Sequence, residues 1–531
     1  MATSVNATLD QLRLAWRRYK LDREAERAFV THPYLIEWID LDRDVWLNAI
    51  KTRLAEGYEP SPGRPCFAPK SSYLLRAGLI LSPEDEVVYN LLVGRLLPDI
   101  LRLISPLQGD PDLGYQLQKR ASTPKWTKDR YESWRQFRLL SVDELETHPF
   151  VVVADITGFY DNIDLDRLTS DLRSAAPSQE AEIELLQACL RKWALPRGKG
   201  IPQGHSASDI LAKLYLQTLD LDLSKRFRHL RYVDDMRIFC RCTLEARLAL
   251  RRLVEVLHRR GLSVQSAKTR IIPASDARPL FDGIVPTIDR IHRELREELE
   301  KELKEEGPYM DEDRAATLLG RGPGPPVAVL ERAFSEYFAS AGSLRFEPSL
   351  FHYLLNRLGI AGSQVAVGYC IDTLRSRPEE TSSIMRYLMR LELGAAEVDR
   401  VLAYAGSADA IYDYQLYQIV KAFYENRRCH HSLLELSRGW SRDSNCDPWL
   451  RTYAVAYTAL FGDPADLEYL EERYSSLIDI VERAEVVMAI RRQEKRRRNA
   501  FYGRVKGEGE LVARAIRFVR SRDDVSATTP Q

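Results

Sequence analysis

Three carboxylates stand in surroundings that do not favour carboxylates. Residues 231–239 read RYVDDMRIF, which sets Asp234 and Asp235 side by side among apolar, aromatic and basic neighbours. Upstream, FVVVADITGFYDNID drives four apolar residues and an alanine into Asp155. Gathered acids repel one another unless cations sit between them. Magnesium, a hard ion held by few carboxylates together with substrate phosphates, suits such a set, with manganese as the alternative. Two ions of this kind activate an attacking hydroxyl and stabilise a leaving phosphate oxygen in an in-line displacement. An Asp-Asp turn on a solvated hairpin would by itself carry no such meaning. The third acid, at the mouth of an apolar strand, supplies it.

The elements around these residues must bring them together. RHLR before the acids and MRIFCRC after them suit two short strands meeting in a tight turn, with Asp234 and Asp235 at or near its tip and exposed. From GYEPSPGRPCFAPK to FDGIV at 281–285, short β-branched runs alternate with helical patterns, the mark of an α+β or α/β arrangement. Residues 1–60 read as a helical extension, with LDQLRLAWRRYKLDREAERAF carrying apolar residues at helical spacing. A charged helix ended by Gly307 and Pro308, then the linker GRGPGPP, occupies 291–326. From 327 to 520 the patterns are helical, recurring on a loose period of ~40 residues as HEAT-like repeats do; an irregular helical bundle is the alternative. Residues 521–531 read as a disordered tail.

Composition narrows the partners. The 531 residues hold 77 Lys plus Arg and 77 Asp plus Glu, so any preference for a polyanion must be local. One local cluster lies at 489–507, where Arg496, Arg497 and Arg498 precede Phe501 and Tyr502. It suits a path for a single strand, with charge following phosphates and rings stacking on bases. It equally suits a solvated helix end paired with the acidic residues of 294–306. No basic-then-apolar leader and no uninterrupted run of some eighteen apolar residues occurs, which predicts a cytoplasmic protein without membrane contact. The seven cysteines suggest no disulfide framework, and neither Cys240 with Cys242 nor CHH at 429–431 has zinc-site spacing.

Several stretches carry a family resemblance. DITGFYDNI resembles motif A of reverse transcriptases, GKGIPQGHSASDILAKLYLQTLD motif B, RYVDD motif C and GLSVQSAKTRII motif D. FDGI resembles the primer grip, with Asp282 where an apolar residue is usual, and PKSSYLLRAGLILSPEDEVVYNLLV resembles the fingers motifs. Their order over residues 60–290 is far more specific than any one of them. The resemblance implies an α+β right-hand polymerase (fingers and palm, 61–290), followed by the all-α HEAT-like helical-repeat domain. It implies that Asp155 and Asp234 are direct metal ligands and Asp235 the weaker member. Tyr160 would lie beneath the incoming sugar, where its ring meets a ribose 2′-hydroxyl, so the substrates would be deoxynucleoside triphosphates. Gln203 and Gly204 would sit near the nascent base pair, Lys268 would offset or protonate the departing pyrophosphate, and Lys70 and Arg76 would hold the triphosphate.

No RNase H, endonuclease or maturase pattern follows, and a helical region stands where a short thumb would. With FYDNID, RYVDDMRIF and SPEDEVVY, this looks like the bacterial abortive-infection and defence-associated reverse transcriptases. That resemblance implies phage defence, DNA made with a noncoding RNA or without a conventional template, priming from a protein hydroxyl, and a homo-oligomer. Tyr19, Tyr34 and Tyr58 are conceivable priming groups. A retron-like or group II-like enzyme copying a dedicated RNA is the alternative. A non-enzymatic RNA-binding scaffold has no reason to keep three uncompensated acids together.

Overall fold

FVVVA forms a strand that is covered on both faces, since Val151 and Val152 point to opposite sides and both are buried. The structure, a computed structural model, describes residues 3–528 except 25–28, 121, 195–197, 283–287, 292, 295–296, 298–325, 340–345 and 478. In chain order, its first part comprises α1 (Leu9–Glu24), α2 (Leu35–Leu41), α3 (Arg43–Glu56), β1 (Arg64–Lys70) and β2 (Leu74–Ile80). Then come α4 (Pro83–Ile104), α5 (Arg130–Glu144), β3 (Phe150–Ala154), α6 (Phe159–Asn162), α7 (Leu165–Ala175), α8 (Glu180–Trp193) and α9 (Ser206–Leu223). β4 (Arg228–Tyr232), β5 (Asp235–Cys240), α10 (Thr243–Arg259), β6 (Arg270–Pro273) and α11 (Ala274–Asp282) follow.

The apolar strand β3 lies between β5 and β6 in a sheet of order β4-β5-β3-β6, antiparallel at each pairing. Antiparallel pairing decides for α+β over α/β. On one face, Val151, Leu230 and Phe239 meet Phe137 and Leu145 beside Ala277 and Phe281 of α11. Helix α10 packs against β3 and β5, and α9 against α10. Helix α4 starts with Ser82 capping the Asp85 N–H and Pro83 in the first turn, where its missing donor is harmless.

By its packing the chain divides into two compact units. The first is Met1–Val30, Asp42–Cys66 and Ala77–Gly283; the second is Thr31–Leu41, Phe67–Arg76 and Ile284–Gln531. The expected separate extension at 1–60 is therefore shared between them. Helix α1 packs on α3 and α4 in the first unit, whereas α2 packs on the helix Glu510–Thr528 in the second. In the second unit, Pro348–Ala361, Thr381–Met389, Asp413–Glu425, Pro448–Phe461, Ile480–Ala489 and Glu510–Thr528 each pack on the next, forming one row. Val367–Ser376, Ala395–Ala405 and His431–Arg442 form another.

Two expectations change at this level. Residues 521–528 continue the helix Glu510–Thr528 instead of starting a disordered tail, because SRDDVSAT contains no Gly or Pro to stop it. Most of the expected charged helix and linker at 291–326 lies outside the described residues. No described helix is long and apolar enough to cross a membrane.

Candidate active site

Tyr232 pairs with Asp235, so the turn between β4 and β5 consists of Val233 and Asp234. Val233 has a φ of 60°, the positive value that a tight hairpin asks of a central residue and that a β-branched side chain resists. Neighbouring groups hold it there. The Arg231 guanidinium donates to the Val233 carbonyl at 2.9 Å, and the Arg231 backbone is bonded to Pro111 and Leu113 at 2.9 and 2.8 Å. Gly114 lies so close that a Cβ would stand 2.4 Å from the Val233 nitrogen.

Beneath the turn is a buried ionic network. Arg231, 1% exposed, meets Asp220 at 2.5 Å and Asp112 at 3.0 Å, and Lys213 meets Asp112 at 2.6 Å. Burial opposes the charge on Asp220, but Arg231 and His229 outweigh it and hold the carboxyl well below its ordinary range. Burial pulls the Lys213 ammonium below its ordinary range, with Asp112 opposing.

Asp155 follows β3 directly. Ala154 pairs with Met236, so the next step of the same register sets Asp155 opposite Asp235. The Asp155 carbonyl accepts from the Gln265 N–H at 2.7 Å, which draws the segment bearing Lys268 alongside. The acids interact. Burial, then Asp155, then Asp235 raise Asp234 above the usual carboxylate range, and Lys268 opposes them. Burial also raises Asp235; Arg237 opposes it, Asp155 adds to it, and Lys268 again opposes.

Two details differ from the sequence reading. Asp234 and Asp235 are half-buried rather than exposed, because the residues around 111–114 crowd the turn. Nor is a cage of three acid, histidine or cysteine side chains preformed among the described residues. Lys268, expected at the pyrophosphate, is ion-paired with Asp155, whose side chain is 23% exposed. The ammonium there offsets part of the repulsion among the acids. The donor set itself suits a divalent cation: three hard carboxylates, two of them raised by burial and mutual repulsion.

Tyr160 sits on the single turn α6 after Gly158, whose φ is 51°. Phe159 beside it is buried, while Tyr160 is half-buried and donates its hydroxyl to Asp209 at 2.7 Å. Gln203 and Gly204, the latter with a φ of 86°, are half-buried in the loop before α9. The loop is tied back by the Ile201 N–H on the Tyr160 carbonyl at 3.0 Å.

Other candidates fall elsewhere. Lys70 and Arg76 are exposed on the β1–β2 hairpin, and Phe67–Arg76 packs with the second unit while the aspartates lie in the first. In the helix Lys495–Val505, Phe501 packs edge-on against Tyr474, and Tyr502, 0% exposed, donates to the Val487 carbonyl at 2.7 Å. These rings are core, not a stacking platform. Arg498 is buried too, Arg497 pairs with Glu468 and Glu471, and Arg496 is exposed; most of the acidic residues expected as partners at 294–306 lie outside the described residues. Tyr19, Tyr34 and Tyr58 are all buried, which removes their hydroxyls from the surface.

Sequence reasoning passed over Asp112, Lys213, Asp220, Arg231, Arg237 and Asp209. A signal existed: Lys213 interrupts ILAKLYL and Arg237 interrupts MRIF, charges at positions that pattern assigns to the core. Arg237, 5% exposed, is stacked between Phe137 and Phe281 at 4.1 and 3.7 Å. Its Nε and Nη1 find no hydrogen-bond partner among the described residues. Burial pulls it down to about 10, against the attraction of Asp235.

Residues 78–301 match the reverse transcriptase (RNA-dependent DNA polymerase) family, a match that starts after Lys70 and Arg76. Similar solved structures include apo telomerase from Candida tropicalis truncated from the C-terminal domain (14% identity, 43% of this chain, 55% of that chain, TM-score 0.30). Another is apo telomerase from the same organism (10% identity, 81% and 69% covered, TM-score 0.33). A third is telomerase from Candida albicans in complex with the TWJ fragment of telomeric RNA (11% identity, 70% and 70% covered, TM-score 0.30). The chain spans about half (55%) of the first of these. No curated protein matches. The family match alone carries weight: residues 78–301 are similar to the reverse transcriptase (RNA-dependent DNA polymerase) family.

Proposed function

We propose, from the reverse transcriptase domain at residues 78–301, that the protein polymerises deoxynucleotides at the Asp155, Asp234 and Asp235 site. The observation that supports it most is the register that sets Asp155 opposite Asp235, beside a turn that carries Asp234. Domains of this family generally use divalent metal ions, typically magnesium. Here Asp155 and Asp234 are the residues to hold two of them, with Asp235 in support; when bound, they supply an activated hydroxyl and charge neutralisation at the leaving phosphate.

The chain's own groups do the rest. Tyr160 forms the floor beneath the incoming sugar, and Gln203 with Gly204 lines the place of the new base pair. Lys268, released from Asp155, neutralises or protonates the departing pyrophosphate. The Arg231 network keeps the turn in place. Lys70 and Arg76 are proposed as triphosphate cations on motif resemblance alone. The two rows of helices in the second unit act as a HEAT-like replacement for a thumb. The sequence resemblance supports a homo-oligomer working in phage defence, with a noncoding RNA as its nucleic-acid partner. The buried state of Tyr19, Tyr34 and Tyr58 speaks against these three as primers.

Purified protein with magnesium and labelled deoxynucleotides is expected to make DNA, and Asp155→Ala or Asp234→Ala to abolish it. Undiminished synthesis by either variant overturns the assignment. Sequencing of copurifying nucleic acid then distinguishes the readings: one defined cDNA templated by one RNA marks a retron-like enzyme.

A further inference from the structure

We infer that Asp209 is a specificity-determining residue, which sets how strictly the site refuses a ribose by fixing the ring of Tyr160. The inference rests on the reading of Tyr160 as the floor beneath the sugar and deepens it. A ring excludes a 2′-hydroxyl only while it stays in place, and rotation about two side-chain torsions would let it yield. Tyr160 is half-buried, on a single helical turn entered through the left-handed Gly158. Packing alone does not enclose it.

Its hydroxyl supplies the second point of attachment, donating to Asp209 Oδ1 at 2.7 Å. Asp209 is 3% exposed and lies in the first turn of α9, where the helix dipole favours a negative charge. The bond is thus of the stronger, charge-assisted kind.

The acceptor is itself anchored. The Ser206 N–H donates to Asp22 of α1 at 2.9 Å, and the Ser206 hydroxyl donates to the same carboxylate. Ser208 is bonded to the Tyr89 hydroxyl at 2.8 Å and to the Pro202 carbonyl. His205 faces Glu86 at 3.5 Å, and Glu86 pairs with Arg23 at 2.5 Å. On the other side, the backbone of Tyr160 is held by the Ile201 N–H at 3.0 Å. The phenol therefore spans two fixed points, which is what holds a side chain to within a fraction of an ångström.

Single-nucleotide incorporation by the full chain, with matched deoxy- and ribonucleoside triphosphates, tests this through the ratio of the two kcat/KM values. That ratio is internal to each preparation, so a smaller folded fraction does not alter it. Tyr160→Ala tests the floor and is expected to admit ribonucleotides most freely. Tyr160→Phe keeps the ring and loses the anchor; it is expected to shift the ratio toward ribonucleotides roughly ten-fold, the equivalent of ~1.4 kcal/mol. Asp209→Ala is expected to match it, and the double variant to add nothing further. Asp209→Asn keeps an acceptor and is expected to stay near the parent ratio. If Tyr160→Ala relaxes selectivity while Tyr160→Phe and Asp209→Ala keep the parent ratio, the role of Asp209 is refuted and the floor stands. If Tyr160→Ala leaves the ratio unchanged, the floor reading itself fails and takes the inference with it.

Discussion

The hairpin at 228–240 and the helix Lys495–Val505 are both conspicuous in the sequence for charge beside aromatic residues, and the fold treats them in opposite ways. In the helix the charges are compensated. Burial works against Glu471, yet Gln493, Arg497 and Arg504 together hold its carboxyl below the ordinary range. The adjacent rings are consumed by packing. At the hairpin tip, burial and neighbouring acids push Asp234 and Asp235 upward against the opposition of a backbone hydrogen bond at Asp234, of Lys268 and of Arg237. Charge that stabilises its surroundings is structural; charge whose neighbours resist it needs something further, and that is where chemistry is to be sought.

Substitutions can break this contrast. The largest effect is expected from Asp234→Ala, which should reduce DNA synthesis to background while circular dichroism shows the fold intact. Next is Asp220→Ala, which leaves the buried Arg231 with Asp112 alone, a carboxylate it must share with Lys213; urea unfolding should register a loss of about 3–5 kcal/mol. Glu471→Gln, which removes the carboxylate that Arg497 and Arg504 of the helix pair with, should cost about 1–2 kcal/mol of stability in the same assay and leave synthesis per folded molecule unchanged. A fall in that specific activity would mean the helix is more than scaffold.

The contrast is sharpened by Asp234→Asn, which is expected to raise the melting temperature at neutral pH. A carboxyl raised on folding binds its proton more tightly in the folded state, so its destabilising effect is complete above the raised value. The effect fades as pH falls from the raised value and is gone below the ordinary aspartate value near ~4. The gain should therefore disappear in acid, and a gain independent of pH would refute the electrostatic account. Smallest of all, Arg496→Ala on the exposed side of the helix should change stability by less than about 0.5 kcal/mol.

What the sequence made legible was local. β3 and the hairpin follow from an apolar run that ends in Asp155 and from two short strands with a two-residue turn, patterns that require no knowledge of distant residues. The pairing of Arg231 with Asp112 and Asp220 was not legible, because long-range partners leave no periodic trace; Lys213 reaches Asp112 across 101 positions. Phe501 and Tyr502 were misread because a basic helix shows which residues it contains but not which face its neighbours cover. Tyr19, Tyr34 and Tyr58 failed for the same reason. The continuation of the last helix past 520 was missed because the tail was read from its place at the chain end, where fraying is usual.

The bond from Ser206 to Asp22 has a consequence for biogenesis. The two residues are 184 positions apart, so during translation at about 5–20 residues per second, α1 waits roughly 10–40 s for the segment it will fasten. Helix α4, which α1 also packs against, emerges long before and can shelter its apolar side in the interval. The nascent first unit is thus expected to acquire protease resistance in two stages, the later one only once α9 has cleared the ribosome.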